Sequence, residues 1–166
     1  MYTNSMNTKR SDKSLTAMAY ILKALVPYTE QNLLLAFHPS KFLSDLERTS
    51  GYSRQTLKQT YLRAKKQRMI SLDTTPRLTA KGRQYVQPFI AKKLAGGGNL
   101  MVIFDIPQDF SDQRRQFRNL LRHLEFAQTQ RSVWMSPNDH VDCIREAVRD
   151  LHLGDWVQLY EASKIE

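Results

Sequence analysis

Three consecutive glycines, Gly96 to Gly98, interrupt a chain of 166 residues and account for half of its six glycines. A run without side chains packs nothing and is costly to order, so Leu94-Ala95-Gly96-Gly97-Gly98-Asn99 reads as a flexible joint. This feature constrains the fold most, because one core must then be built before it and another after it. The length suits one domain of ordinary size or two small ones, and the glycines favour two. The expected division is a frayed N-terminus over 1–13, a first domain over 14–93, a linker over 94–99 and a second domain over 100–166.

Charge follows the same division. Met1 to Gly98 carries 17 Lys+Arg against 5 Asp+Glu, a net +12, and Asn99 to Glu166 carries 8 against 11, a net −3. A basic field attracts polyanions through counterion release, nucleic acid above all. A solvated basic surface is the bland alternative. The chain is 41% hydrophobic and 10% aromatic, enough to build packed cores, which argues against global disorder. No window approaches the roughly 20 apolar residues of a membrane span. The N-terminal MYTNSMNTKRSDKS lacks a signal-peptide apolar core. Cys143 is the single cysteine, which excludes an intrachain disulfide framework and a cysteine-rich zinc site. A cytoplasmic location is the expectation.

In the basic half, Leu15, Met18, Ala19, Leu22, Leu25 and Val26 recur at helical spacing, with Ser14 placed to cap the start and Pro27 to stop the helix. Phe42, Leu43 and Leu46 mark a second, shorter helix closed by Gly51. Ser53 opens a third, in which Leu57, Tyr61 and Ala64 form the expected buried stripe. Its opposite face carries Gln55, Gln59, Leu62 and Lys66, flanked by Lys58 and Arg63. Amides and cations on one face offer both base-edge hydrogen bonds and phosphate contacts. Met69 to Leu72 and Arg77 to Thr79 then read as two strands around the turn Asp73-Thr74-Thr75-Pro76. This is the order of a winged helix-turn-helix. The segment Leu78-Thr79-Ala80-Lys81-Gly82-Arg83 resembles the L-T-x-x-G-R wing ending common among MarR-like and PaaX-like regulators.

In the second half, Leu100 to Phe104 is a short apolar strand ended by Asp105-Ile106-Pro107. Phe117, Leu120, Leu121 and Leu124 mark a helix, and Gln130 to Ser136 a strand. Asn138 or Asp139 caps a further helix with Val141, Ile144, Val148 and Leu151 on its face and Gly154 at its end. Trp156 to Tyr160 is the last strand, and Glu125 to Gln130 leaves room for part of another. The fold class expected is α+β, a winged helix-turn-helix followed by a ferredoxin-like βαββαβ domain.

Phe104-Asp105-Ile106-Pro107, the arginines and leucines Arg114, Arg115, Arg118, Leu121 and Leu124, and Ser132-Val133-Trp134-Met135-Ser136-Pro137 together resemble the middle domain of PaaX-type repressors. That domain is similar to the small CRISPR-associated ferredoxin-like protein that partners the spacer integrase. The resemblance covers roughly residues 15–165 and implies a DNA-binding repressor. Full-length PaaX repressors continue into a further C-terminal region that this chain lacks, so their aryl-CoA effector is not carried over.

The resemblance to the CRISPR-associated proteins implies metal binding at Asp105. Asp109 and Asp112 are candidate helpers for magnesium and a metal-dependent nuclease. A turn-capping role for Asp105, with no catalytic residue, metal or cofactor in the chain, is the preferred expectation. Arg114, Arg118 and Arg122, with Arg115, form a basic ridge that contacts DNA, pairs with a second subunit or is simply solvated. His38, His123, His140 and His152 lack metal spacing and read as surface or helix-end residues, and Cys143 as a packing residue.

The function expected is a homodimeric, sequence-specific repressor on double-stranded DNA with a palindromic operator. Gln55 and Gln59, with Arg54 or Lys58, read bases, and Ser53 belongs to the same helix start. Arg63, Lys65 and Lys66 hold phosphates, and Arg77 beside the wing reaches a minor groove or the backbone. The ferredoxin-like half dimerises. A metal-dependent nuclease and a CRISPR-adaptation-type adaptor are the rival readings.

Overall fold

The apolar spacing that begins at Leu15 produces α1 (Ala17–Ala24) in the computed structural model, which describes residues 15–26, 29–71 and 73–163. Thr16 caps α1, its hydroxyl accepting the Ala19 N–H at 3.1 Å. Ser14 and Pro27, expected to start and stop this helix, lie outside the described residues. A helix the sequence reading left out follows, α2 (Glu30–Phe37), opened by a capping box between Thr29 and Asn32. α3 (Pro39–Ser50) ends at Gly51, whose φ of 72° is the left-handed turn that favours glycine. Ser53 caps α4 (Arg54–Lys66) by accepting the Thr56 N–H at 3.3 Å.

The stripes of these helices meet in one cluster that buries Ile21, Leu22, Phe42 and Leu57 completely. Burying each such side chain contributes about 1.5–3 kcal/mol. The expected hairpin is smaller than its sequence suggests. It amounts to one antiparallel bridge between Ile70 and Leu78, with the Thr79 N–H donating to the Met69 carbonyl at 3.1 Å. Leu72 lies outside the described residues. The buried Asn32 braces this hairpin, its amide donating to the Pro76 carbonyl at 2.9 Å. Thr79 extends no strand because its hydroxyl caps a further helix, α5 (Ala80–Ile90). Pro88 and Gly82 hide that helix from a propensity reading.

The second half alternates β1 (Asn99–Phe104), α6 (Ser111–His123), β2 (Ala127–Gln130), β3 (Val133–Ser136), α7 (Val141–Asp150) and β4 (Val157–Ala162). The sheet is four-stranded and antiparallel in the order β2-β3-β1-β4, so the fold is α+β. Alternation puts Leu100, Val102, Phe104 and Trp134 on the buried face, in one cluster with Phe117 and Leu121 of α6 and Ile144 of α7. On the other face Met101 is in register with both Met135 and Tyr160, and Ile103 with Val133. Met101, Ile103, Val133 and Met135 are only partly covered, and Tyr160 is 46% exposed. Two expectations are corrected here. Gln130 belongs to β2, with Arg131 and Ser132 in the turn before β3, and Trp156 sits in the turn before β4 against Phe110.

The segment between the halves carries specific bonds. The Leu94 N–H donates to the Pro137 carbonyl at 2.9 Å and the Asp139 N–H to the Lys92 carbonyl at 2.7 Å. Gly96 and Gly97 then turn the chain with φ of 64° and 73°. α5 also reaches across: Arg83 pairs with Glu146, and the Gln87 amide donates to the Asp139 carbonyl at 3.3 Å. The His123 ring lies 3.0 Å from the Gln84 carbonyl oxygen.

His140 keeps the helix-end place expected of it but not a surface one. It is fully buried at the N-terminal end of α7, with its ring 5.5 Å from Phe126. Burial lowers its pKa, against the opposing pull of Asp139, the Leu124 backbone and Glu125. The folded chain therefore keeps the ring neutral where the unfolded chain, with an ordinary pKa near ~6.5, takes up a proton. This contribution is present above that pH and lost as pH falls through the folded value. The melting temperature is expected to drop on acidification from neutral pH, and His140→Leu to flatten that drop. A wild-type acid slope matched by the variant would assign the effect elsewhere.

Candidate nucleic-acid interface

α4 owes its two faces to its sequence period. Leu57, Thr60 and Ala64 are buried, and Tyr61 is half-buried against the same cluster. Thr60 thus takes the central place expected of Tyr61, whose hydroxyl pKa is raised by burial. The opposite face is open. Gln55, Lys58, Gln59, Arg63 and Lys66 are exposed, as is Leu62 at 49%. None of these five polar side chains has a protein partner among the described residues, so their donors and acceptors remain available.

The remaining expected contacts are more constrained. The Ser53 hydroxyl is committed to its cap and to the Thr56 hydroxyl at 3.0 Å. The Arg54 N–H donates to Glu47 at 2.9 Å and its guanidinium to the Ser40 carbonyl at 3.4 Å, which ties the start of α4 to α3. Lys65 lies over the Tyr61 ring, its Nζ 5.5 Å from the centroid, and is half-buried. Arg77 is exposed beside the Ile70–Leu78 bridge, its backbone N–H donating to Ser71 Oγ at 3.1 Å.

The L-T-x-x-G-R segment has a mechanical explanation. Leu78 enters the core and pairs with Ile70, Thr79 caps α5, Gly82 lies against the Met69 carbonyl, and the Arg83 guanidinium donates to the Leu78 carbonyl at 2.9 Å. These contacts set the hairpin at the C-terminal end of α4.

The arginines of α6 have different partners. Arg115 pairs with Asp112 at 2.9 Å, and Arg122 donates to Asn119 at 2.9 Å. Arg118 and Arg122 both lie over Trp134, at 5.8 and 5.9 Å from the ring centroid. Arg114 donates to the Ile106 carbonyl and to Gln108. Asp105 is exposed at the end of β1, and its backbone N–H donates to the Trp156 carbonyl at 3.0 Å. Asp109 and Asp112 line a different cleft, together with Asp150 and His152. The three aspartates are therefore not gathered at one point. Among the described residues no group of three His, Cys, Asp or Glu side chains is arranged to hold a metal ion. Cys143 is buried and its thiol is pushed up to about 12, chiefly by that burial. It is a packing residue with little thiolate at neutral pH. No described helix is long and apolar enough to cross a membrane.

Sequence reasoning missed Asn32, the brace under the hairpin, and Arg131, which joins Arg114 and Arg118 around one cleft. The capping pair Thr29 and Asn32 was the available signal for the first. The second needs the β2–β3 turn, which no local pattern locates.

Residues 95–166 match the family model of the PaaX protein central Cas2-like domain. No curated protein matches the chain.

Proposed function

We propose that this protein is a PaaX-type transcriptional repressor that binds double-stranded DNA as a homodimer. The observation that carries the reading is the open face of α4, where Gln55 and Gln59 stand among Lys58, Arg63 and Lys66 with no competing partners among the described residues. The match of residues 95–166 to the PaaX central domain supports the same assignment. In this reading α1 to α5 with the Ile70–Leu78 bridge are a winged helix-turn-helix, and α4 enters the major groove. Glutamine amides suit the adenine edge, and cations on the same face suit flanking phosphates. Arg77, beside the short wing, reaches the adjacent backbone or minor groove.

The second half, read as a ferredoxin-like domain, supplies the dimer. The support is the partly covered apolar face of Met101, Ile103, Val133 and Met135 beside Tyr160, which a second copy would cover. Two copies of α4 held in this way read a roughly palindromic site, with half-site spacing set by the dimer. Three bonds across the joint, those of Leu94, Gln87 and Arg83, support a fixed rather than drifting spacing.

The test uses the purified chain with duplex from upstream of its own gene and with random duplex, magnesium present, on native and denaturing gels. A selective shift of intact upstream DNA is the expected result. Shortened strands, prevented by Asp105→Ala, would replace the repressor with a nuclease.

A further inference from the structure

The end of β1 opens into a cleft of about 480 Å³ that collects charge from three separate parts of the chain. Asp105 follows β1, Arg114 and Arg118 come from α6, and Arg131 and Ser132 come from the β2–β3 turn. Three guanidiniums thus share the cleft with one carboxylate, a local balance of +2. Among the described residues none of the three arginines forms a salt bridge. In a half of the chain that is net acidic, three cations left without carboxylate partners in one concavity need an explanation.

Two of them are already held in place. Arg114 donates one N–H to the Ile106 carbonyl at 3.3 Å and another to Gln108 Oε1 at 2.7 Å. Arg118 rests over the Trp134 ring, its Cζ 5.8 Å from the centroid, a contact that does not use its N–H donors. A guanidinium offers five N–H donors in a rigid fork, so both arginines keep several for a ligand. Arg131 is exposed on the turn and free to close on whatever enters. Clustered guanidiniums repel a divalent cation and suit an anion with several oxygens.

We propose that this cleft binds a phosphate ester through Arg114, Arg118 and Arg131. The inference stands apart from the reading of α4, since it concerns residues of the second half of the chain. The phosphate belongs either to the backbone of bound DNA or to a free phosphorylated small molecule.

Calorimetric titration of the full chain with inorganic pyrophosphate tests it. Saturable binding is expected, weakened about tenfold or more by Arg131→Ala, since the loss removes a charged hydrogen-bond donor. Arg131→Lys restores only part of the affinity, because it returns the charge without the fork. Arg149→Ala, an exposed cation of α7 outside the cleft, leaves pyrophosphate binding unchanged. The absence of saturable binding, or equal binding by wild type and Arg131→Ala, overturns the proposal. A parallel titration with random duplex names the source. Loss of duplex affinity in Arg131→Ala, with the salt slope reduced by about one, assigns the phosphate to DNA. Unchanged duplex affinity beside weakened pyrophosphate binding assigns it to a free ligand. If duplex binding fails altogether while pyrophosphate still binds, the repressor reading falls and the anion site remains.

Discussion

Gly82→Ala is expected to destabilise the protein by about 3 kcal/mol, although alanine is the better helix former by about 1 kcal/mol. A Cβ on Gly82 would lie 2.1 Å from the Met69 carbonyl oxygen and 3.1 Å from its carbon. The obstacle is backbone, so no rotamer change relieves it. Relief requires α5 to move away from Met69. That movement pulls on the Thr79 N–H bond to the same carbonyl and on the Ile70–Leu78 bridge. The clash therefore outweighs the propensity gain. A chain of this size shifts its melting temperature by about 2–4 °C per kcal/mol, so thermal unfolding should show a fall of about 6–12 °C. An alanine variant as stable as wild type would mean that α5 does not seat on the hairpin in this way.

The second large effect concerns recognition. Gln59→Ala is expected to cost specific binding about 1–3 kcal/mol while leaving binding to random duplex nearly untouched. Gln59 stands at the middle of the open face of α4, with no side-chain partner among the described residues. Its removal should not disturb the fold. Lys66→Ala, at the C-terminal end of the same face, is expected to weaken binding to all sequences by a similar factor and to reduce the salt slope by about one. The contrast matters more than either loss. Base edges carry sequence information and phosphates do not.

Much of this arrangement is legible in the sequence because it follows from period. The 3.6-residue spacing of Leu57 and Ala64 fixes which face of α4 turns outward, and alternation along Leu100 to Phe104 fixes the buried face of β1. Ser53 and Gly51 mark the α3–α4 turn correctly, since caps are local chemistry. What the sequence hides depends on distant partners. α2 is short, and its buried face holds Asn32, whose value as a core residue appears only once Pro76 is beside it. α5 contains Pro88 and Gly82, both poor helix formers, and the glycine is needed for the approach to Met69. His140 carries no sign of burial in its neighbours Asp139 and Val141, because the Phe126 ring beside it comes from the turn before β2. The arginines of α6 form an evenly spaced series in sequence. Their partners, Asp112, Asn119 and Trp134, differ, and one of the cleft's three cations comes from a turn elsewhere.

Whether the outward face of α4 reads base edges is decided by the ratio of affinities for the upstream duplex and a random duplex, taken at one salt concentration for wild type, Gln59→Ala and Lys66→Ala. With base reading on this face, the ratio collapses by about tenfold or more in Gln59→Ala and holds in Lys66→Ala while both its affinities fall. An unchanged ratio in Gln59→Ala, or the same loss on both duplexes for both variants, would contradict it.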